Sequence, residues 1–345
     1  MTTPRPVRVA LDAMGGDRGP EVNVEGAVAA ARELGIAVLL VGDETALRAQ
    51  LLRHDAAGLP VTIRHAPEAV EMGESPTVAL RRKKRSSIRI GLDLVRQGEA
   101  EAFVSAGNTG AVMATALMAL GPLPGAERPA IAVVMPTLTG RVVMLDVGAN
   151  VDCRARHLQQ FAIMGNIYAR DILGIAVPRV GLLSIGEEES KGNDLTRETF
   201  RALEGVPGLN FLGNIEGRDV FGGKTDVVVC DGFTGNVALK ISEGLADALF
   251  HLLKEEVQRN LLARAGALLL IPAFRRFRRR VDYAEWGGAP LLGVGGVCVI
   301  SHGRSTAKAI RNAIRVAADC ASNDVIAHIR DGIAAVGEPG EPPAL

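Results

Sequence analysis

The sequence predicts an α/β fold built around a mostly parallel sheet. Short apolar runs alternate with longer segments of helical periodicity along nearly the whole chain. Residues 227–230, Val-Val-Val-Cys, form an apolar run typical of a strand that is buried on both faces. A Gly-rich turn follows at 231–236, and a helical pattern begins behind it. Because a strand, a Gly-rich turn and a helix present backbone N–H groups to an anion, we expect a phosphate-like ligand here, with a capped turn without a ligand as the alternative.

Composition limits the kinds of protein that this chain can be. Its 345 residues suffice for one large or two ordinary domains, and 48% hydrophobic with 23% charged residues is typical of a globular protein. Aromatic residues make up only 3%, which argues against base stacking and hence against a nucleic-acid partner. Lys+Arg and Asp+Glu both number 39, so electrostatic attraction must come from local patches. The four cysteines lie far apart, so we expect neither a bound metal such as zinc nor disulfide bonds. The N-terminus lacks an apolar signal region, so we expect a cytoplasmic protein.

In the first half of the chain, strands and helices alternate in short units. The strands are predicted at 7–11, 38–41, 61–64 and 102–105, and the helices at 21–34 and 45–53, with a third helical pattern over 76–97. A run of five cations interrupts this third pattern, and its members are Arg81, Arg82, Lys83, Lys84 and Arg85. In a neutral chain such a run is either a solvated face or a docking surface for an acidic partner.

The second half continues the same alternation. Strands at 131–135 and 142–147 flank Thr139-Gly140, which predicts a hairpin. The further strands are predicted at 180–185, 210–213, 227–230 and 297–300, and the helices at 156–173, 195–203, from the Gly-rich turn to about 262, and 306–329. Residues 336–345 are expected to be a disordered tail.

Polar and glycine residues follow most of the predicted strands, where each strand ends. Because the strand ends of an open α/β sheet converge on one crevice, we expect these residues to form one site. The candidates are Asp12, Gly15, Gly16, Asp17, Ser105, Asn108, Thr109, Gly110, Asn150, Lys191, Asn193, Asn214, Glu216, Asp231, Gly232, Thr234, Gly235 and Asn236. No G-x-G-x-x-G sequence accompanies the first strand, so no dinucleotide site is predicted. His302 also ends a strand, and we interpret it as a structural histidine, with a general acid or base as the alternative.

An apolar segment at 261–274 stands next to a block of cations. The residues expected to insert are Leu261, Leu262, Leu268, Leu269, Leu270, Ile271 and Phe274. The segment is shorter than the roughly 20 residues that span a bilayer, we expect it to break at Pro272, and arginines dominate residues 275–280. These features predict a tip that lies in an anionic membrane interface, with a buried core or dimer helix as the alternative.

Seven segments in order resemble one bacterial enzyme family. They are ALDAMGGD, VSAGNTGA, LDVGANVDC, IGEEESKGND, GNIEGRD, VVVCDGFTGNVALK and GGAPLLGV. They resemble the fatty acyl-ACP:phosphate acyltransferase (PlsX) family over about residues 7–329. The resemblance implies a Rossmann-like α/β/α sandwich with a mixed, mostly parallel sheet and a protruding helical tip, related to the isocitrate-dehydrogenase-like and phosphotransacetylase group. We therefore expect one catalytic domain over 1–335, with a helical protrusion at about 245–282.

The resemblance also implies an activity. A long-chain acyl-[acyl-carrier-protein] and inorganic phosphate would give acyl phosphate and free carrier protein, for bacterial phospholipid synthesis. A homodimer without a cofactor would supply a downstream membrane acyltransferase and associate peripherally with the membrane. Phosphate is itself the nucleophile, so we expect direct attack on the thioester, assisted by donors that stabilise the oxyanion.

Each polar candidate then has an expected role. Lys191 is expected to contact phosphate or the oxyanion. The neutral donors are expected to be Asn108, Thr109, Asn193, Asn214 and Asn236, while Asp12, Glu216 and Asp231 orient them or handle a proton. Two alternatives remain, namely a short-chain phosphotransacetylase or dehydrogenase on the same fold, and a non-catalytic membrane scaffold for acyl carrier protein.

Overall fold

Two β-sheets organise the chain in the computed structural model, which describes residues 6–281 and 285–337. The strands are β1 (Arg8–Asp12), β2 (Ala37–Gly42), β3 (Val61–His65), β4 (Ala102–Ser105), β5 (Ala130–Ile131), β6 (Val133–Pro136), β7 (Arg141–Leu145), β8 (Arg179–Leu183), β9 (Asn210–Ile215), β10 (Val227–Val229), β11 (Ala289–Leu292) and β12 (Val297–Ile300). The helices are α1 (Gly19–Leu34), α2 (Glu44–Leu51), α3 (Pro76–Arg82), α4 (Ser87–Arg96), α5 (Thr109–Leu120), α6 (Ala155–Asp171), α7 (Asp194–Glu204), α8 (Asp219–Gly222), α9 (Gly232–Gln258), α10 (Leu261–Val281), α11 (Ala307–Ser322) and α12 (Val325–Val336).

Most strand pairs are parallel, which confirms the predicted mixed, mostly parallel α/β arrangement. The seven-stranded sheet has the order β3-β2-β1-β4-β12-β11-β5, and its first five strands are parallel. The five-stranded sheet has the order β6-β7-β10-β8-β9, and only β6 is antiparallel to its neighbour. The predicted hairpin is β6 and β7.

The two sheets meet where β5 continues into β6 across the single residue Ala132. Strand β5 has the direction of β12, because both are antiparallel to β11, whereas β6 is antiparallel to β7. The backbone N–H of Ile131 donates to Asp146, the first residue after β7, at 3.0 Å. The carboxyl edges of the two sheets therefore approach each other at this junction.

The central strands β1, β4 and β12 of the seven-stranded sheet are buried on both faces. Val9 and Leu11 of β1 pack in one core cluster and Ala10 packs in the other, because successive side chains alternate. Helices α1 and α11 pack against each other beside this sheet. Gly26 permits their contact, since a Cβ there would lie 2.7 Å from the Cβ of Ile310.

The observed elements differ from the predicted ones at several points. The single helix predicted at 306–329 is divided, because Asp324 has φ of 49° between α11 and α12. Helix α10 continues through Pro272 instead of breaking there, at the loss of one backbone hydrogen-bond donor. Strand β11 was missed, because its Pro290 is atypical of a strand. Strand β9 extends to Ile215, so Asn214 lies in a strand and not in a loop.

Helices α9 and α10 form a helical hairpin that leaves the body of the molecule. In α9 only Gly232 and Gly235 are buried, both at its start. The rings of Phe250 and Phe277 pack between the two helices, with centroids 5.8 Å apart. Among residues 6–281 and 285–337, no helix is both long enough and apolar enough to cross a membrane. Most of the predicted tail, residues 338–345, lies outside the described residues.

Candidate active site

Asp12 joins two of the predicted turns at the carboxyl edge of the seven-stranded sheet. Its carboxyl group is 1% exposed and accepts from Ser105 Oγ at 2.7 Å and from the Met14 N–H at 3.2 Å. Burial raises the pKa of Asp12, and the hydroxyl groups of Ser87 and Ser105 oppose this rise. Because Asp12 is enclosed and accepts from residues of both segments, it positions the turns after β1 and β4.

The turn after β1 is fixed by close contacts. A Cβ on Gly15 would lie 2.6 Å from Asp12 Oδ2 and 2.7 Å from the backbone nitrogen of Gly107, so only glycine fits between the two turns. The amide of Asn23, which sequence reasoning missed, donates to the carbonyl oxygens of Ala13 and Gly15. Gly16 has φ of 92°, and the Asp17 N–H donates to Gly303 O at 2.8 Å. The turns after β1, β4 and β12 are thus one connected unit.

The N-terminus of α5 offers free donors at this edge. Asn108 caps the helix through Oδ1, which accepts from the Ala111 N–H, and its Nδ2 donates to Met72 O and Glu74 O. Its side-chain amide is therefore already satisfied within the protein. The backbone N–H groups of Asn108, Thr109 and Gly110 have no acceptor among the described residues. Three consecutive N–H groups at the positive end of a helix suit a phosphate or an oxyanion.

A second buried carboxylate organises the junction of the sheets. Asp146 follows β7, is fully buried, and accepts from the backbone N–H groups of Ile131, Gly148, Ala149 and Asn150 at 2.7–3.2 Å. Burial raises the pKa of Asp146, and these donors oppose the rise. Asn150 donates through Nδ2 to Asp146 Oδ2 and Pro129 O, so its amide is also committed. Asp146 was not among the predicted site residues, although its place at a strand end before Gly148 was a usable signal.

The start of α9 packs directly on this Asp146 turn. Asp231 caps the helix, accepting from Thr234 N at 2.9 Å and from Thr234 Oγ1 at 2.7 Å. The Gly232 N–H donates to Asn150 O at 2.7 Å, and a Cβ on Gly235 would lie 1.9 Å from Asp146 O. Both glycines are therefore required by close approach.

Asn236 lies one residue beyond Gly235 on α9. Its amide packs over Gly148, and Nδ2 lies 3.4 Å from the position that a Cβ on Gly148 would occupy. The side chain is exposed and has no hydrogen-bond partner among the described residues. It is thus a free donor at the edge of the Asp146 turn.

A third group of residues lies at the ends of β8 and β9. Lys191 is exposed and forms no ion pair with any described residue. Its loop is anchored by Asn214, which is 3% exposed and donates through Nδ2 to Glu188 O at 2.9 Å. Asn193 caps α7 by accepting from Thr196 N at 2.9 Å, and Glu216 pairs with Arg218 at 3.1 Å. Lys191 is accordingly the available cation of this group.

Two other candidate reactive groups are poorly suited to covalent catalysis. Burial raises the pKa of the Cys153 thiol to about 11, although the Gly232 N–H lowers it, so the thiol is protonated at neutral pH. His302 is exposed, and its Nδ1 accepts from the Arg304 N–H at 3.1 Å. Within residues 6–281 and 285–337, no group of three His, Cys, Asp or Glu side chains is arranged to hold a metal ion.

The described residues thus offer a set of donors whose chemistry suits an anion. The turns after β7, β10, β8 and β9 lie side by side on one sheet edge, and those after β1, β4 and β12 lie on the edge that approaches it. Between them they offer the free N–H groups of residues 108–110, the Asn236 amide and the Lys191 ammonium group. Such donors can bind phosphate and stabilise an oxyanion, while the buried aspartates hold the turns in place.

Comparison of the chain with known proteins agrees with this chemistry. A phosphate acyltransferase from Trichlorobacter lovleyi is 56% identical over 325 residues, which cover 94% of each chain. A phosphate acyltransferase from Pelotomaculum thermopropionicum is 55% identical over 330 residues, or 96% of each chain.

Solved structures show the same fold at low sequence identity. A phosphotransacetylase from Streptococcus pyogenes has a TM-score of 0.63 at 20% identity, covering 92% of this chain and 94% of that one. A 4-hydroxythreonine-4-phosphate dehydrogenase from Klebsiella pneumoniae has a TM-score of 0.54 at 15% identity, covering 92% and 98%. The predicted relation to the phosphotransacetylase group is confirmed at the level of the fold.

A family model gives the most direct assignment. The model described as "Fatty acid synthesis protein" matches residues 7–328, which is nearly the whole described chain. Together with relatives that are more than half identical, this match shows that the chain belongs to the fatty acid synthesis protein family, the PlsX family that its seven segments resemble.

Proposed function

We propose that this protein is a phosphate acyltransferase that moves a long acyl chain from acyl carrier protein to inorganic phosphate. The observation that carries the proposal is the high identity to phosphate acyltransferases over more than nine-tenths of the chain. The site geometry supports it, because free anion-binding donors are present and burial raises the pKa of both thiols beside the turns, that of Cys153 to about 11 and that of Cys230 well above its usual value. The acyl phosphate would serve phospholipid synthesis in a bacterium.

The reaction follows from the donors at the site. Phosphate binds to the N–H groups of residues 108–110, at the positive end of α5, and Lys191 balances its charge. A phosphate oxygen attacks the thioester carbonyl carbon, and the carbonyl oxygen becomes an oxyanion that the Asn236 amide or Lys191 stabilises. When this intermediate collapses, the C–S bond breaks and the carrier thiolate leaves, later taking a proton from water. No acyl-enzyme forms, so acyl transfer to Cys153 would contradict this route.

The catalytic unit is one domain over residues 1–335. Both sheets contribute turns to the site, and β5 continues into β6 between them. The helical hairpin of α9 and α10 corresponds to the protrusion expected at about 245–282.

Carrier protein docks at the basic segment 81–85, which comprises the end of α3 and the start of the loop before α4. Arg81, Arg82, Lys84 and Arg85 are exposed and form no ion pairs with described residues. Lys83 differs from them, because its Nζ donates to Glu74 at 2.6 Å and to Ala69 O at 2.7 Å, so it does not belong to the docking surface. A cavity of about 350 Å³ opens beside the loop, lined in part by Leu80 and Met118. The exposed cations would attract the acidic carrier.

A second copy of the chain covers the apolar face of α9. Val237, Ile241, Leu245 and Leu249 recur every four residues and are 43%, 65%, 58% and 58% exposed. Residues at this spacing share one face of a helix, and an apolar stripe of this length is typical of a protein interface. The expected assembly is a homodimer.

The far part of the hairpin binds an anionic membrane surface from the cytoplasmic side. Leu269, Leu270, Ile271 and Phe274 are 83%, 53%, 36% and 36% exposed, and Arg276 is exposed beside them. The side chains of Leu261, Leu262 and Leu268 lie outside the described part of the chain, as do those of Arg275 and residues 278–280. Peripheral binding would deliver the acyl phosphate to a membrane acyltransferase without passage through water.

The decisive assay measures loss of the acyl-carrier thioester with and without inorganic phosphate. We expect phosphate-dependent loss with formation of acyl phosphate. Thioester that persists in the presence of phosphate would instead favour a non-catalytic scaffold. A preference for acetyl over long acyl donors would favour a short-chain phosphotransacetylase, and saturable binding of a nicotinamide cofactor would favour a dehydrogenase.

A further inference from the structure

A second cluster of cationic and hydroxyl groups lies at the opposite edge of the five-stranded sheet. Arg141 begins β7, Arg179 begins β8, and Thr225 and Asp226 precede β10, which lies between those two strands. The three strands are parallel, so these residues stand side by side at the amino ends. The carboxyl ends, with the candidate active site, lie about 13 Å away along β7, at about 3.3 Å per residue. A cavity of about 270 Å³ opens between these side chains.

Thr225 carries the clearest sign that a ligand belongs in this cavity. The residue is 1% exposed, and its hydroxyl group has no hydrogen-bond partner among residues 6–281 and 285–337. Its methyl group faces β8, since a Cβ on Gly181 would lie 2.8 Å from Thr225 Cγ2. Buried hydroxyl groups are nearly always hydrogen-bonded, so one that lines a cavity and lacks a partner is suited to a ligand.

The two arginines differ in their surroundings. Arg179 forms a fork with Asp226, with Nε–Oδ2 and Nη2–Oδ1 both at 2.9 Å, which fixes the guanidinium group and leaves Nη1 without a described acceptor. Arg141 forms no ion pair with any described residue, and its guanidinium group lies 4.7 Å from the ring centroid of Trp286. Two cations facing one carboxylate leave the cavity with a net positive charge.

We propose that this cavity binds a small phosphate group, either as a phosphate monoester or as free inorganic phosphate. Arg141 and Arg179 Nη1, at the starts of β7 and β8, and Thr225 Oγ1, just before β10, match a tetrahedral oxyanion, because guanidinium groups are strong donors to phosphate. Leu173 and Ile175 form an apolar wall that a short organic substituent can cover. The cavity is slightly smaller than most sites for drug-sized ligands, which restricts the ligand to a compact one.

Trp286 gives a probe of this cavity that does not depend on catalysis. It is the only tryptophan in the sequence, and it stacks on Arg141. Titration of the full-length protein with inorganic phosphate, at an ionic strength held constant with KCl, should change its fluorescence in a saturable way. The same titration with methyl phosphate distinguishes the two sources. Tighter binding of the ester identifies an organic phosphate, and tighter binding of inorganic phosphate identifies the free ion.

Two variants test whether the signal comes from this cavity. Thr225→Val keeps the shape and removes only the hydroxyl group, so it should weaken binding about tenfold, as expected for one lost hydrogen bond to a charged group. The unfolding midpoint without ligand should not fall, because the hydroxyl group has no partner there. Lys191→Ala alters the opposite sheet edge and should leave the fluorescence titration unchanged.

The proposal is overturned if phosphate gives no saturable signal, if Thr225→Val binds as tightly as the wild type, or if Lys191→Ala abolishes the response. Should Thr225→Val fail to fold, Arg141→Gln carries the same test, because this side chain is exposed. Its readout is calorimetric titration with methyl phosphate, and unchanged affinity would again overturn the proposal.

Discussion

At the residue scale, two buried aspartates hold the turns, and a few exposed groups remain free to bind an anion. Asp12 and Asp146 are 1% and 0% exposed, and each accepts hydrogen bonds from neighbouring turns. Lys191 and Asn236 are exposed and have no described partners. The buried groups therefore position the turns, and the exposed groups are available to bind the anion.

Replacing Lys191 tests the binding groups directly. Lys191→Ala should lower kcat by about 10²–10³, because one charged contact to phosphate or the oxyanion is lost. Its melting temperature should match the wild type, since Lys191 is exposed and forms no described ion pair. The matched variant Lys191→Arg keeps the charge and should recover part of the activity. Steady-state rates equal to the wild type in Lys191→Ala would remove this residue from the mechanism.

His157 gives a prediction for pH dependence. It is 6% exposed, its Nδ1 accepts from the Arg154 N–H, and burial lowers its pKa despite the opposing effect of Glu127. As the pH falls below the usual histidine pKa of about 6.5, the unfolded chain takes up the proton first, so the free energy of unfolding should decrease until the pH passes the folded pKa.

The variant His157→Gln isolates this effect. Urea unfolding at a series of pH values should show a weaker decrease for His157→Gln than for the wild type over this interval. An equal decrease in the free energy of unfolding for both proteins would mean that His157 does not contribute to the acid sensitivity.

At the element scale, the start of α9 depends on glycines that permit close contact. A Cβ at Gly235 would lie 1.9 Å from the backbone oxygen of Asp146, which cannot easily move because its turn is held by several hydrogen bonds. Gly235→Ala should therefore destabilise the protein by about 1–3 kcal/mol or more, as overpacked cores do. It should also lower activity, since the turn carries the site.

Gly244 on the same helix is the matched control. It is exposed, and a Cβ added there would have nothing within 4 Å, so Gly244→Ala should raise stability by up to about 1 kcal/mol through helix propensity. Chemical denaturation of both variants measures the contrast. Equal effects of the two substitutions would show that the contact with Asp146 is unimportant.

The basic segment 81–85, at the end of α3 and in the loop after it, gives a second prediction at this scale. Arg81→Glu combined with Arg82→Glu should slow association with acyl carrier protein and reduce its salt dependence, because both side chains are exposed. Arg53→Glu, on an exposed residue after α2, is the control for a general charge effect. Stopped-flow association rates at several salt concentrations provide the measurement, and unchanged rates and salt slopes would leave the segment as a solvated face.

At the scale of the whole molecule, the helical hairpin projects apolar side chains away from the sheets. Leu269 and Leu270 are 83% and 53% exposed, and burial of such a side chain contributes roughly 1.5–3 kcal/mol. Leu269→Glu with Leu270→Glu should therefore release the protein from anionic vesicles in a flotation assay. Two copies in a dimer would strengthen binding by the wild type through effective concentration.

Activity and assembly provide the controls for this double variant. Turnover of acyl-carrier substrate in solution should survive, because Leu269 and Leu270 lie on α10, which contributes no residue to the candidate site. A variant that still floats with the vesicles would show that these leucines are not the anchor. Unfolding or dissociation of the dimer would show that they are structural.

Local patterns in the sequence were sufficient to predict the kind of fold and most of its elements. Apolar runs and helical periodicity depend on the order of residues along the chain, so β4 at Ala102–Ser105 and β12 at Val297–Ile300 were predicted at their observed bounds. The strand-end turns were also found, because Gly and Asp at such positions are a local signal. The seven ordered segments indicated the family to which the chain belongs.

Which polar groups are free, in contrast, depends on tertiary contacts. Asn108, Asn150 and Asn214 look in sequence like Asn236, but their amides donate to carbonyl oxygens from distant segments. Lys83 looks like its four cationic neighbours, yet Glu74 and Ala69 hold it in place. The division of the strands into two sheets also depends on contacts between remote residues. Hydrogen bonds and packing across the fold are not visible in the local spacing of residues. For that reason the sequence could identify candidate site residues, but it could not separate those available to bind an anion from those that hold the turns in place.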